Sequence, residues 1–351
     1  MQSKYIGIFE TLKAELADGG YRVGEVLPSV ETLCRRFGAG AYAVRHALAL
    51  LRDDGLVALR QNVGAVVSEK VARAWKGRVL FVAVGVTGSY YTSKLYSMMA
   101  DSFGKAGWDM EPAFIESRRT HLDVERVRGL VANGISFAVI YCSERQITDI
   151  LDHAKIPYVV IGGFGREYPN ARGVMRMDSK SCYDELICAL KRKRLKSVLE
   201  VDFERVHDRG FKSQMFEAGI CVRRVLCKWD YSKPLSLADV RGCGYRAVAE
   251  FFAEERNRRR PPEMILFDDD YLACGGISAL LELGFRIPKD VRLAVQSNAG
   301  NELALGVPLT RLQLDPAADA ERIFGYVSRL LSGRPAAPPR LALNFIPGES
   351  L

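Results

Sequence analysis

Short apolar runs alternate with helical spacings along most of this chain, and that alternation restricts its fold more than any other feature. The runs are Val79–Val86, Met110–Ile115, Phe137–Tyr141, Tyr158–Ile161, Ser197–Val201, Met264–Phe267 and Val291–Val295. Helical patterns such as Leu95–Ala106, Leu122–Val131 and Leu272–Leu283 lie between them. Apolar runs this short read as buried strands. Strands joined through helices need right-handed crossovers, which produce parallel sheets covered on both faces. Residues 79–351 are too many for one such sheet, so two α/β/α lobes are expected.

The first residues follow a different pattern. Ile6, Phe9, Leu12 and Leu16 recur at helical spacing, and Gly19-Gly20 ends that helix. Ser29, after the Leu27-Pro28 break, is a good N-cap for a second helix reaching Phe37. Gly38-Ala39-Gly40 makes a turn into a third helix, Tyr42–Asp53, with Val44, Ala47, Leu48 and Leu51 inward and Gly55 as its stop. Leu56–Leu59 and Ala65–Val67 read as two strands around a polar tip. Three helices and a hairpin describe a winged helix-turn-helix. The predicted division is therefore a winged helix over 1–68, a connector over 69–78 and a two-lobed domain over 79–351. Lobe one is expected over 79–174 and 311–335, and lobe two over 175–310 and 340–347.

Composition excludes several classes. At 48% hydrophobic and 26% charged, the chain of 351 residues has the balance of a folded protein rather than a disordered one. No apolar run approaches the roughly 18 residues of a membrane helix, and Met1–Ile6 opens no secretory signal, so a cytoplasmic protein is expected with no membrane partner. A net charge of +8 permits a polyanionic partner. Eight cysteines without a Cys-x-x-Cys pair, beside four histidines, offer no clustered zinc ligands, so neither a metal nor a cofactor is expected.

A helix-turn-helix lays its second helix in the DNA major groove. In the third helix here, Tyr42, Arg45 and His46 face outward. Arg45 can take a guanine edge or a phosphate, though taken alone it is equally a solvated helix charge. Ser29 can offer its hydroxyl and nearby amides to a phosphate, and Arg60, Gln61 and Asn62 form the wing tip. The stretch Gly24–Leu33, with Phe37-Gly38, Val44-Arg45, Ala47-Leu48, Leu51, Gly55–Val57 and Gly64–Val67, resembles the gluconate-repressor (GntR) family. That resemblance implies duplex DNA as a partner. Gly40, Ala41 and Ala43 stand where the family usually carries polar contacts, so Arg45 is the contact in that helix that carries over.

The remainder resembles the ligand domain of the lactose/galactose-repressor (LacI/GalR) family, which is related to periplasmic sugar-binding proteins. The residues that carry this are Tyr90-Tyr91, Ile156–Val160, Val174–Asp178, Arg209–Phe211, Asp269–Gly275, Gly284–Val291, Pro308–Thr310 and Glu349-Ser350. Together the two resemblances imply an arabinose-repressor-like architecture. In such a cleft, aromatic rings stack on a polar ligand and charged groups meet its hydroxyls. The candidates are Tyr90, Tyr91, Ser143, Arg209, Asp270 and Asn298, with Trp229 behind them. The tyrosines could instead pack in the core, and Asp270 could instead cap a helix starting near Tyr271. Val295–Asn298 replaces the family's usual Gly-aromatic-Asp, which leaves the sugar unnamed.

Other readings compete. Asp268-Asp269-Asp270 after a strand could be the metal motif of a nucleotide-sugar glycosyltransferase, which would leave the winged helix unexplained. Gly162–Gly165 follows a strand without the helix a dinucleotide loop needs. A binding protein that has lost DNA affinity and works through partners is a third. The expectation is a ligand-responsive repressor, homodimeric on a near-palindromic operator and controlled by a small carbohydrate.

Overall fold

The computed structural model describes residues 4–17, 20–21, 23–61, 63–68, 76–85, 88–115, 121–141, 145–162, 167–203, 209–228 and 235–351. They form two compact units, Met1–Arg78 with Phe103–Asp109, and Val79–Ser102 with Met110–Leu351. Each is taken by itself.

In the first unit, α1 (Lys4–Ala17), α2 (Val30–Phe37) and α3 (Ala41–Asp53) precede an antiparallel hairpin of β1 (Val57–Arg60) and β2 (Gly64–Val67). Local signals account for the boundaries. Ser29 Oγ accepts the Thr32 N–H at 3.2 Å, capping α2. Gly38 ends it in the left-handed region at φ 58°, where a side chain is disfavoured. Gly40 caps α3 without a side-chain hydrogen bond. The core face of α1 is Ile8, Leu12 and Leu16; Leu12 and Leu16 are as predicted, while Ile6 and Phe9 are half-buried beside them. These pack with Leu33, Val44, Ala47 and Leu51, all four fully buried. Each large aliphatic side chain so buried contributes roughly 1.5–3 kcal/mol of transfer free energy.

The second unit holds two sheets. Lobe one is built from β3 (Arg78–Val84), α4 (Tyr90–Lys105), β4 (Asp109–Ile115), α5 (His121–Ala132), β5 (Phe137–Tyr141), α6 (Arg145–His153), β6 (Tyr158–Ile161) and β7 (Gly173–Met175). Its strand order is β4-β3-β5-β6-β7. Lobe two contains β8 (Met177–Asp178), α7 (Lys180–Arg192), β9 (Ser197–Phe203), α8 (Arg209–Glu217), β10 (Cys221–Cys227), α9 (Leu237–Ala253), α10 (Glu255–Arg259), β11 (Met264–Phe267), α11 (Asp270–Glu282), β12 (Arg292–Asn298) and β13 (Thr310–Leu314). Then come α12 (Pro316–Leu331) and β14 (Leu341–Ile346). The seven-stranded order is β10-β9-β11-β12-β13-β14-β8, parallel except between β13 and β14.

The chain passes between lobes three times: at Arg176, at Asp315, and between α12 and β14. α12 belongs with lobe one, since Tyr326 Oη donates to Arg172 O at 2.8 Å. The predicted boundary at 311 therefore moves to 315, because β13 pairs in the lobe-two sheet. All three passages leave from the neighbouring strands β8, β13 and β14. The predicted glycine run Gly162–Gly165 lies largely outside the described residues.

Candidate functional site

On the winged helix, Tyr42 stands 80% exposed at the first turn of α3. His46 stacks on it, with centroids 6.0 Å apart and planes 9° off parallel, and meets Tyr5 edge-on at 4.3 Å. His46 is thus half-buried and holds the Tyr42 ring in place. Arg45 and Arg60 are both exposed. Together with Ser29 they line one depression of about 610 Å³, walled by apolar side chains including Leu59 and Val63. Three residues drawn from a helix cap, a helix face and a wing therefore meet on one surface. Gln61 is exposed beside them, and Asn62 lies outside the described residues.

In the second unit, a cavity of about 200 Å³ opens between the lobes. Ser89, Thr92, Phe114 and Tyr141 line it from lobe one, and Phe203, Leu237, Asp269 and Tyr271 from lobe two. Most of these sit at or just beyond strand ends, where a parallel sheet leaves room for ligands. Tyr271 Oη accepts the Tyr90 N–H at 3.1 Å, so one hydrogen bond crosses between lobes. The Tyr90 hydroxyl reaches Gly300 of lobe two, where a Cβ would fall 2.4 Å from it.

The other predicted ligand residues are placed variously. Tyr91 is buried, with its hydroxyl donating to Asp319 Oδ2 at 2.9 Å, and so packs inside lobe one rather than lining the cavity. Asp270 and Asn298 do come together: Asn298 Nδ2 and Asn301 Nδ2 donate to Asp270 Oδ2 at 3.1 and 3.2 Å. Both are buried, and neither lines the cavity. The helix cap is Asp269, whose Oδ1 accepts the N–H groups of Tyr271 and Leu272. Burial, with the neighbouring charge of Asp270, pushes the Asp269 carboxyl up to about 6. Ser143 and Trp229 lie outside the described residues, and Arg209 opens α8 without a described side chain.

Asp269, Tyr271, Phe203 and Tyr141 were missed in the sequence. A rule that ligands meet strand C-termini would have found Tyr141 and Phe203, which end β5 and β9. Asp268, Asp269 and Asp270 take separate partners, which does not make them one metal motif. Asp268 instead faces Glu200 and Asp202 across two strands.

Residues 4–67 match the bacterial regulatory proteins, gntR family, and residues 199–351 match the periplasmic binding protein-like domain. The chain thus has the architecture of a transcription regulator, with a gntR-family winged helix joined to a periplasmic binding protein-like domain. No curated protein matches it in sequence. Among solved structures, a LacI family transcriptional regulator from Arthrobacter sp. FB24, in complex with lactose, superposes with a TM-score of 0.61. It shares 18% identity over 78% of this chain and 99% of its own. The Escherichia coli transcriptional repressor ascG gives 0.58 at 18% identity, covering 78% and 99%. An arabinose-transporter binding protein from Shewanella sp. ANA-3, bound to L-arabinofuranose, gives 0.58 at 14%, covering 77% and 91%. At these identities the likeness establishes the LacI-type fold of the second unit.

Proposed function

We propose that this chain is a ligand-responsive repressor, released from DNA when a small carbohydrate fills the interlobe cavity. The observation that carries the reading is the union of a gntR-family winged helix and a two-lobed cleft in one polypeptide. Arg45, Arg60, Ser29 and Tyr42 meet the DNA, with Gln61 and Asn62 at the wing. Two fold neighbours hold sugars, and the aromatic faces of Phe114, Tyr141 and Phe203 suit the apolar face of a pyranose. Tyr90 and Tyr271 close on that ligand, and the Asp270–Asn298 pair supports the lobe-two wall. Ser143, Arg209 and Trp229 complete the set from the surrounding loops. The protein acts in the cytoplasm as a homodimer on a near-palindromic site, without cofactor or catalysis.

Gel-shift titration against genomic fragments tests this. Binding should weaken steeply as salt rises, because phosphate contacts release counterions. A sugar that raises the melting temperature should release the fragment. Arg45→Ala should cost about 1–3 kcal/mol on the specific site if it reads a base. No retarded fragment at low salt, with or without sugars, would end the regulator reading.

A further inference from the structure

Three carboxylates converge at the C-terminal edge of lobe two's sheet, two of them deep inside it. Glu200 and Asp202 are two apart on β9 and share a face, while Leu199 and Val201 face the apolar core on the other. β11 pairs with β9, Phe267 opposite Val201. The Asp268 N–H then donates to Val201 O at 3.1 Å, fixing Asp268 beside the same edge. One oxygen from each acid lies within 4.8 Å of the others, a cluster unique among the described residues. Glu200 is 1% and Asp202 4% exposed.

Arg224, opposite Glu200 on β10, forks onto it with Nε–Oε2 at 2.5 Å and Nη2–Oε1 at 2.9 Å. Among the described residues, one guanidinium and the proton of the Asp268–Glu200 hydrogen bond stand against three carboxyls, which leaves one negative charge in a buried place, costly unless neutralised. Asp202 marks where the neutralising group belongs. Its Oδ1 accepts the Phe203 N–H at 2.6 Å, while its Oδ2 is buried with no hydrogen-bond partner among the described residues. Burial holds the Asp202 carboxyl above the usual carboxylate range, with Glu200 adding to this and the Phe203 N–H opposing.

We propose that Glu200, Asp202 and Asp268 form a binding site for a hard divalent cation. Oxygens that share one such ion at about 2.3–2.6 Å lie at most about 5 Å apart, which the cluster satisfies. All-carboxylate donors select Ca²⁺, Mg²⁺ or Mn²⁺ over softer metals. A carboxylate with both oxygens on a guanidinium keeps lone pairs for an ion. Asp202 and Asp268 each adjoin a cavity-lining residue, Phe203 and Asp269, so the ion would stiffen that wall. The site lies wholly in lobe two and stands whether or not the effector is a sugar. It departs from the metal-free expectation because its ligands come from separate strands.

The test uses the full chain stripped with EDTA, titrated with CaCl₂, MgCl₂ and MnCl₂ by calorimetry and thermal melting. One saturable site and a raised Tm are expected with at least one cation. Asp202→Asn is near-isosteric and removes a like charge, so it should fold. It should lower affinity by at least the roughly 10–100-fold that loss of a supporting partner costs. Asp268→Asn should do the same, and Asp290→Asn, in an exposed pair with Arg286, should change nothing. No heat and no Tm shift with any of the three ions would overturn the site. So would unchanged affinity in both variants, or a wild-type Tm that climbs on acidification yet ignores cations, since protons would then neutralise the cluster.

Discussion

Tyr90 and Tyr91 show how far a single residue's role can be read from its neighbours in sequence. Consecutive positions at a helix start point about 100° apart, so one reaches the facing lobe and the other turns inward. What decided the matter for Tyr91 is Asp319 on α12, 228 positions away. That carboxyl is fully buried, and burial pushes it up to about 6 although Tyr91 and Arg322 both favour its charged form; Asp315 adds to the rise. The unfolded value is near 3.9. A folded value above the unfolded one means the native state holds the proton more tightly. Asp319 therefore contributes stability that is full below about pH 4 and is lost as pH rises through about 6, on the order of 3 kcal/mol. Asp319→Asn keeps an acceptor for Tyr91 and cannot ionise. Its urea-unfolding free energy should lack that decline, so it should gain on wild type between pH 4 and 6. Parallel curves for the two proteins across that window would refute the assignment.

Elements were legible where their signals are local. The winged helix follows from Ser29, Gly38 and the Val44–Leu51 stripe, all within a few residues of what they control. β10 was not legible, because Cys221–Cys227 carries Arg223 and Arg224 in an edge strand. Arg224 is accommodated there by Glu200, opposite it on β9. The β13 and β14 strands were missed for a related reason: Thr310–Leu314 and Leu341–Ile346 alternate buried and less buried side chains instead of forming a continuous apolar run. Helices α9 and α11 pack backbone to backbone, and that packing depends on two glycines. A Cβ on Gly275 would fall 1.8 Å from Arg241 O, and one on Gly244 2.1 Å from Leu272 O. Both obstacles are backbone, so no side chain can swing aside. Gly275→Ala should force the helices apart and cost about 1–3 kcal/mol or more. Equilibrium denaturation would read this directly, and an unchanged midpoint would show that the helices have slack.

At the scale of the molecule, the two-lobed plan was legible from the alternation of strands and helices, whereas the cleft's lining was not. Phe114, Tyr141, Phe203 and Tyr271 come from four separate crossovers and meet only when both sheets are complete. The contact between Tyr271 and Tyr90 crosses the lobes and can be removed with a single atom. Tyr271→Phe leaves the Tyr90 N–H without its acceptor and should weaken closure by about 1 kcal/mol. That is about fivefold in affinity for any ligand that needs closed lobes. Calorimetric titration of wild type and variant with the sugar from the melting screen measures it. Equal affinities would mean the hydroxyl contributes nothing to closure.

The three passages between lobes leave from β8, β13 and β14, which lie side by side. Two rigid bodies joined along a single edge keep one soft coordinate, rotation about that edge; sliding and twisting must stretch three chains at once. On the proposed function, whatever enters the cavity would be converted into one number, the angle at which the lobes come to rest. Ligands of unlike chemistry that set the same angle are equivalent to everything downstream. Mutations that remake the cavity can therefore exchange one signal for another while the rest of the molecule stays as it is.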